Sequence, residues 1–395
     1  MANLIDVVKV AEALKTKNVF VAESRCVVVR NRNASCRKCK NICPVGAFTI
    51  EGNTLELNNS LCVACGACTT ICPTEALIPL RPFDDDLAQS MADAYIHNGT
   101  KAVFACARIA SKRFADSDDF AEVPCLSRIE ESILVELAAQ NVEEILLVDG
   151  TCSTCKYRHN IAAIQATVDS VNSLIEAMGG RVCVEQHSGF PDDMLIGEQK
   201  DRYGVSRRGF FSQARGTAKD AAEKTVTTVL KSNEPEKALS VRERLGMVET
   251  GTLPQFGAER RIHILDAMDR LGKPQVQTIE TRLWGNVCID TELCSSCDMC
   301  AIFCPTGALK KVAAEDIDEL NAALEDEASP IYAALEFSIA DCVQCNTCQD
   351  ICLKKCLMVE QIVPMDELFD FEPRLISLPE PPQKGKLFSK KTFTK

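Results

Sequence analysis

Cysteines at a short fixed spacing are the residues of this sequence best suited to chemistry. Three runs share the pattern C-x2-C-x2-C-x3-C, and they span Cys62–Cys72, Cys294–Cys304 and Cys342–Cys352. Three thiolates this close together can surround one face of an iron–sulfur cube, and the fourth cysteine can bind a neighbouring cube. Zinc ribbons need separated C-x2-C pairs instead. The spacing therefore predicts iron–sulfur clusters, whose chemistry is electron transfer.

The same spacing resembles that of bacterial-type two-cluster ferredoxins, in which a proline follows the fourth cysteine. Pro73 and Pro305 match that pattern, whereas Leu353 replaces the proline in the third run. In such ferredoxins each cubane takes three cysteines from one motif and the fourth from the other. The resemblance implies three ligand sets, which are Cys62, Cys65, Cys68 and Cys43; Cys294, Cys297, Cys300 and Cys352; and Cys342, Cys345, Cys348 and Cys304.

A fourth cubane depends on an altered motif, Cys36-x2-Cys39-x3-Cys43, which lacks the usual first cysteine. The nearest upstream cysteine is Cys26, and a loop between the first and second ligands can still return a thiolate to the cube. We therefore assign Cys26, Cys36, Cys39 and Cys72 to this cluster. The alternative is a three-iron or missing cluster, with Cys26 in the protein core. Two cysteines beside the motifs, Cys288 and Cys356, are predicted to be packing residues.

The segment between the ferredoxin-like units has a different pattern of apolar residues. Short apolar runs at 102–107, 121–126, 144–148 and 182–185 alternate with helical patterns at 129–140 and 161–178. This alternation predicts a small α/β domain with a parallel sheet. Cys183 falls inside the last predicted strand, so we expect it in the core.

Four further cysteines follow the predicted strands of this middle domain: Cys106, Cys125, Cys152 and Cys155. The carboxyl ends of parallel strands share one edge of a sheet, where sites are built. Four thiolates there are the usual complement of a [2Fe–2S] cluster. A zinc site, a redox dithiol at Cys152 and Cys155, and simple burial remain alternatives. The lone His159 nearby is expected at the surface.

The middle domain also resembles the iron–sulfur delta subunit of methyl-viologen-type hydrogenase and heterodisulfide reductase complexes. The stretches that match are F-A-C-A, V-P-C-L-S-R and G-T-C-S-T-C-K-Y-R-H-N, within about 100–165. The resemblance implies a [2Fe–2S] cluster that passes electrons between a hydrogenase or other dehydrogenase and a flavin-containing reductase.

The predicted fold class is a mixed α+β and α/β multidomain protein. Two ferredoxin-like [4Fe–4S] domains flank the small parallel-sheet α/β iron–sulfur domain, and Arg81–Asp86 is a predicted linker. The predicted segments are an N-terminal helix (1–25), the first ferredoxin domain (26–80), the α/β domain (87–200), a polar, partly helical connector (201–284), the second ferredoxin domain (285–365) and an extended basic tail (366–395).

The composition of the chain limits the classes of partner and the compartment that we expect. The chain has 395 residues and a net charge of −12, and this negative charge argues against nucleic acid as a partner. Its 23 cysteines are an odd number, which argues against a disulfide framework. We find no apolar stretch long enough to span a membrane, and we expect a reducing, anaerobic cytoplasm. An internal stretch, Ser206–Phe211, looks like a twin-arginine export motif, but no apolar block follows it.

We find no dinucleotide-binding glycine motif, P-loop or H-E-x-x-H motif, so no substrate site can be recognised in the sequence. The favoured hypothesis is an electron-wiring subunit of a hetero-oligomeric anaerobic oxidoreductase, with the middle domain as the junction between partners. The alternatives are a reductase acting at Cys152 and Cys155, with the ferredoxin domains as electron feeders, and a redox sensor.

Overall fold

The computed structural model of the protein describes residues 17–196, 255–322 and 330–381. Three features of the sequence lie wholly or mostly outside these ranges. They are the predicted N-terminal helix over 1–16, the connector over 201–254 with the Ser206–Phe211 stretch, and the tail over 382–395.

The first ferredoxin unit is built from short strands and single-turn helices. In chain order its elements are β1 (Val19–Val21), α1 (Val27–Arg30), α2 (Lys38–Ile42), β2 (Phe48–Glu51), β3 (Thr54–Leu57), α3 (Ala67–Ile71) and β4 (Leu77–Pro79). β1 pairs antiparallel with β4, so the prediction of helix up to residue 25 is wrong for Val19–Val21. β2 and β3 form the hairpin that the alternating sequence predicts.

The middle domain contains the parallel sheet predicted from the sequence. Its elements are α4 (Asp84–Asn98), β5 (Lys101–Cys106), α5 (Ala107–Ala110), β6 (Ala121–Val123), α6 (Glu131–Ala139), β7 (Glu144–Val148), α7 (Ile161–Ala177) and β8 (Val184–His187). The strand order is β6-β5-β7-β8, and all three pairings are parallel. The strands of the inner pair are buried along nearly their whole length, as a sheet covered on both faces requires.

Two local predictions in this domain are wrong. Cys183 precedes β8 and is exposed, because the strand begins two residues later than the apolar run suggests. The predicted linker Arg81–Asp86 contains the first turn of α4, whose start carries Asp84, Asp85 and Asp86. Acidic side chains favour a helix N-terminus, so these aspartates begin a helix here.

The second ferredoxin unit contains helices and strands beyond its two cysteine motifs. It begins with α8 (Glu259–Leu271), β9 (Thr278–Glu280), β10 (Asn286–Ile289), α9 (Met299–Ile302), β11 (Leu309–Lys311) and α10 (Ala314–Ala322), and continues with β12 (Ala333–Phe337), α11 (Thr347–Ile351), β13 (Leu357–Glu360), β14 (Ile362–Pro364), α12 (Met365–Asp370) and β15 (Arg374–Leu378). The antiparallel pairs are β10 with β13, β9 with β14, and β12 with both β11 and β15.

This unit corrects two predicted boundaries. Residues 366–378, predicted as part of an extended tail, form most of α12 and the strand β15, which pairs with β12. Residues 255–284, predicted as connector, belong to the core, since α8 packs along α6 of the middle domain and Trp284 is fully buried. Apolar side chains of the middle domain and the second unit thus share one core, while the first unit has its own.

Within the described ranges we find no helix long and apolar enough to cross a membrane.

Candidate iron–sulfur centres

The backbone of three cysteine loops explains how each loop can direct three thiols inward. In each loop the residues before and after the middle cysteine have positive φ: Ala64 and Gly66, Ser296 and Asp298, Gln344 and Asn346. Glycine, asparagine and aspartate adopt this left-handed conformation most readily. When residues of positive φ alternate with residues of negative φ, successive backbone N–H groups can point into one concave site that favours anions, as at many iron–sulfur sites. The altered first motif has no such pair among its residues Cys36–Cys39.

We call the five groups of candidate ligand cysteines assigned from the sequence thiol sets A to E. Set A is Cys294, Cys297, Cys300 and Cys352, and set B is Cys342, Cys345, Cys348 and Cys304. Set C is Cys26, Cys36, Cys39 and Cys72, and set D is Cys62, Cys65, Cys68 and Cys43. Set E is Cys106, Cys125, Cys152 and Cys155.

Set C gathers around one pocket, which all four of its cysteines line together with Ile50, Leu55 and Leu77. Burial, together with the nearby thiol of Cys72, raises the pKa of Cys26 to about 11 and that of Cys39 to about 12. Cys26 therefore lies beside the thiols of the altered motif, although it precedes Cys36 by a long loop. An apolar pocket lined by four thiols fits a cubane and its four thiolate ligands.

Set D comes together in the same crossed manner. The thiol of Cys68 lies close to those of Cys65, Cys62 and Cys43, and also to that of Cys39 in set C. The Cys43 thiol accepts a hydrogen bond from the backbone N–H of Ala47 at 3.3 Å. The loop of the second motif and the last cysteine of the first motif thus share one centre.

Set B lines a second pocket, together with Pro305, Val287 and Phe337. Burial raises the pKa of Cys342 to about 12 and that of Cys345 to about 11, with Cys304 adding to both shifts. Buried thiols with raised pKa are protonated near neutrality, so metal binding must displace protons from them.

Set A is more open and contains an additional thiol. Cys297 is exposed, and the thiol of Cys300 lies near those of Cys294 and Cys297. The Cys352 Sγ lies 3.5 Å from the Sγ of Cys356, which is buried and also interacts with Cys294. Cys356 is thus buried, and it lies among the thiols of this centre.

Set E lies at the carboxyl edge of the parallel sheet, as the sequence predicts. Cys106 ends β5, Cys125 follows β6 and Cys152 follows β7, and these three thiols interact with one another. The Cys106 thiol donates to the carbonyl oxygen of Asp149 at 3.1 Å. The thiol of Cys155 accepts a hydrogen bond from the backbone N–H of Tyr157 at 3.4 Å.

The described residues contain no group of three or more His, Cys, Asp or Glu side chains arranged around a single metal ion. The thiols of sets B and C instead line pockets, which suits a multi-atom cluster.

Sets B and C are neighbours across the boundary between the two ferredoxin units. The thiol of Cys345 lies close to that of Cys36. Ser35 donates two hydrogen bonds to the Asp350 carboxylate, from its backbone N–H at 2.7 Å and from its hydroxyl at 2.9 Å. Arg30 is buried near the thiols of Cys304 and Cys345, where its positive charge can offset that of a cluster.

Sets D and E are neighbours across a second boundary. The thiol of Cys65 lies close to that of Cys125, and the Asn160 side chain donates to the Cys125 thiol at 3.5 Å and also bonds Cys65. Ser127 donates to the Cys65 carbonyl oxygen at 2.9 Å, in a shared network with Asn160. Gly66 permits this approach, because a Cβ there would lie 2.6 Å from the Cδ of Arg128.

Sequence reasoning missed Ser127 and Asn160, which connect two thiol sets. Both residues lie within the stretches that resemble the delta subunit, but nothing in their type or spacing indicates a role. It correctly placed His159, which is exposed.

The comparisons with known proteins agree with the cysteine geometry. Residues 34–76 match the 4Fe-4S dicluster domain family, and residues 287–310 match the 4Fe-4S binding domain family. The chain is 43% identical over 42 residues to one component of an ion-translocating oxidoreductase complex from Methanosarcina acetivorans. That stretch covers 11% of this chain and 16% of the relative, so the chain spans only a small part of that relative's length.

A second relative is matched over most of its length. The chain is 38% identical over 47 residues to an uncharacterised ferredoxin from Methanocaldococcus jannaschii, which is 12% of this chain and 76% of that ferredoxin. The protein carries [4Fe–4S] domains and has an iron–sulfur electron-transfer role. The chain belongs to the ferredoxin family.

Proposed function

We propose that this chain is an electron-transfer subunit that connects a dehydrogenase or hydrogenase to a reductase within an anaerobic, cytoplasmic oxidoreductase complex. The observation that carries the proposal is the adjacency of thiol sets from different domains. Cys36 lies beside Cys345, and Cys65 lies beside Cys125. Bound clusters would supply one-electron transfer, and the chain's own residues would hold neighbouring clusters close together.

Sets A to D are proposed to hold four [4Fe–4S] clusters, and set E a [2Fe–2S] cluster. The matched relative that is named as part of an oxidoreductase complex supports a hetero-oligomer with redox partners. The resemblance of the middle domain to the delta subunit supports a hydrogenase, dehydrogenase or flavin-containing reductase as partner.

The alternative is a reductase that acts on a substrate at Cys152 and Cys155. A reactive dithiol needs a thiolate of low pKa. Burial, together with the nearby Asp149 carboxylate, raises the pKa of Cys152 to about 12. A thiol with a raised pKa is a poor nucleophile near neutrality, which argues against a reactive dithiol at this site.

The variant Cys152→Ser tests the proposal, because a hydroxyl is a harder and less ionised ligand than a thiolate. We expect loss of the [2Fe–2S] electron paramagnetic resonance signal and a fall in electron flow between partners in the tagged native complex. The cubane signals should persist, since none of their assigned ligands lies in the middle domain. The exposed Cys183→Ser is the matched control and should change neither signal nor flow.

Two results would contradict the proposal. One is an unchanged [2Fe–2S] signal together with unchanged partner-to-partner flow in Cys152→Ser. The other is turnover of a substrate by the isolated chain that depends on Cys152 and Cys155, which would favour the reductase.

A further inference from the structure

The turn after the last cysteine of each motif has the same backbone conformation in all four copies. Cys356 therefore occupies the same position in its copy as one residue in each of the other three. Three residues after the last cysteine, the chain has positive φ at Gly46, Glu75, Gly307 and Lys355. The next residue is buried and directly precedes a strand. At this position the four copies have Ala47, Ala76, Ala308 and Cys356, with exposed fractions of 3%, 1%, 3% and 8%.

Only the last copy therefore has a thiol where the others have a methyl group. Its Sγ lies 3.5 Å from the Sγ of Cys352 and within hydrogen-bonding reach of Cys294. Cys356 is held in place by the pairing of the following strand, β13, with β10, since its carbonyl oxygen accepts a hydrogen bond at 2.7 Å from the backbone N–H of Asp290, the residue after β10. Both cysteines that it contacts belong to set A.

The same copy also lacks the constraint that holds the last cysteine in the other three. Pro44, Pro73 and Pro305 follow the last cysteine there, and a proline ring fixes the backbone φ. Leu353 takes that position after Cys352, and its side chain is 86% exposed. The chain around Cys352 is thus less restrained than its counterparts, while Cys356 beside it is buried.

We propose that Cys356 is a fifth thiol of set A and can bind its iron in place of Cys352. This inference rests on the proposed iron–sulfur function of set A. In the exchange the Cys356 thiol gives up its proton as its sulfur binds iron, and the released Cys352 thiolate takes up a proton. No electron is gained or lost, and the number of thiolate ligands stays the same.

Four variants of the full chain, reconstituted anaerobically with iron and sulfide, test the proposal. They are Cys352→Ala, Cys356→Ala, the double variant and Cys72→Ala. Cys72→Ala is the matched control, because Ala76 leaves no thiol to replace Cys72. Cys356→Ala restores the residue of the other three copies, so it should fold. The readouts are iron per chain and the resonance spectrum.

We expect each of Cys352→Ala and Cys356→Ala to keep the iron content of the natural chain, with no three-iron signal. The double variant and Cys72→Ala should each lose about four irons, the content of one cubane. If Cys352→Ala loses as much iron as Cys72→Ala, or shows a three-iron signal, Cys356 is not a ligand, while the proposed function stands. If the double variant keeps all its iron, neither cysteine is a ligand of set A. A natural chain without iron would contradict the proposed function itself.

Discussion

At the scale of single residues, the side chains between two thiol sets are as informative as the cysteines. Asn160 is buried and donates to Cys125 from the amino end of α7 while also bonding Cys65 in another domain. Hydrogen bonds to the sulfur ligands are among the factors that set the potential of an iron–sulfur cluster. Asn160 thus has contacts that can adjust two centres at once.

The variant Asn160→Ala should lower the reduction potentials of the centres in sets D and E. A hydrogen bond to sulfur stabilises the added negative charge of the reduced state, and about 1 kcal/mol corresponds to about 40 mV for one electron. Potentiometric titration followed by electron paramagnetic resonance measures the shift. Gln165→Ala, an exposed position on the same helix, is the control and should leave both potentials in place. Equal potentials in the two variants would show that Asn160 only packs.

At the scale of elements, α8 connects parts of the chain that are distant in sequence. Its Arg260 donates to the Thr69 carbonyl oxygen of the first unit at 2.7 Å, to Asp84 of α4 at 3.2 Å, and forms an ion pair with the buried Glu130. Asp84 also pairs with Arg128, whose backbone and side chain lie against Gly66. One helix therefore fixes the boundary at which sets D and E meet.

Replacing Arg260 with methionine should destabilise the protein by about 3–5 kcal/mol, because it leaves the buried carboxylate of Glu130 without its ion-pair partner. Guanidinium unfolding followed by circular dichroism measures the loss. Arg270→Met on the same helix is the control, since Arg270 pairs with Glu136 at the surface and such pairs contribute about 0–1 kcal/mol. Similar midpoints for the two variants would mean that the Arg260 network is not stabilising.

The last residues of the sequence include a strand of the second unit and a lysine-rich segment, which we expect to bind partner proteins. β15 pairs with β12 over five residues, so a chain ending at residue 372 would expose the edge of β12 and should lose iron from the second unit. A chain ending at residue 381 lacks only Lys384, Lys386, Lys390, Lys391, Lys395 and their neighbours. We expect it to keep its iron and to copurify less of its partners. Undiminished copurification would mean that the basic tail does not dock.

At the scale of the whole molecule, the spatial order of the thiol sets differs from their order in sequence. The middle domain lies between the ferredoxin units in the sequence, yet Cys36 of the first unit lies beside Cys345 of the second. Set E is adjacent to set D through Cys125 and Cys65. Cys39 of set C also lies near Cys68 of set D, and Cys300 of set A lies near Cys348 of set B. The sets therefore follow the order A, B, C, D and E, and set E lies at one end of this row.

The whole row should bind about 18 iron atoms, four in each of four cubanes and two in set E. Iron analysis of anaerobically purified or fully reconstituted protein measures this content. Fewer than about 12 irons would exclude four cubanes. One equivalent of zinc, with the iron reduced by two, would instead assign set E to zinc.

The sequence by itself determined the chemistry of each cysteine loop. Residues within Cys62–Cys68 are so close along the chain that their thiols can share a centre in almost any fold, since adjacent Cα atoms are 3.8 Å apart. The alternation of short strands and helices likewise predicted the parallel sheet and the edge at which Cys106, Cys125 and Cys152 meet.

Only the tertiary structure decided which centres are neighbours and which extra residues join them. The contact of Cys36 with Cys345, the bonds of Asn160 to two thiol sets and the burial of Arg260 join residues far apart in the sequence. Cys356 is closer in sequence to its partner, but its role depends on a turn repeated in four copies and on the strand that follows. Contacts of this kind depend on how whole units pack, and local spacing carries no record of that packing.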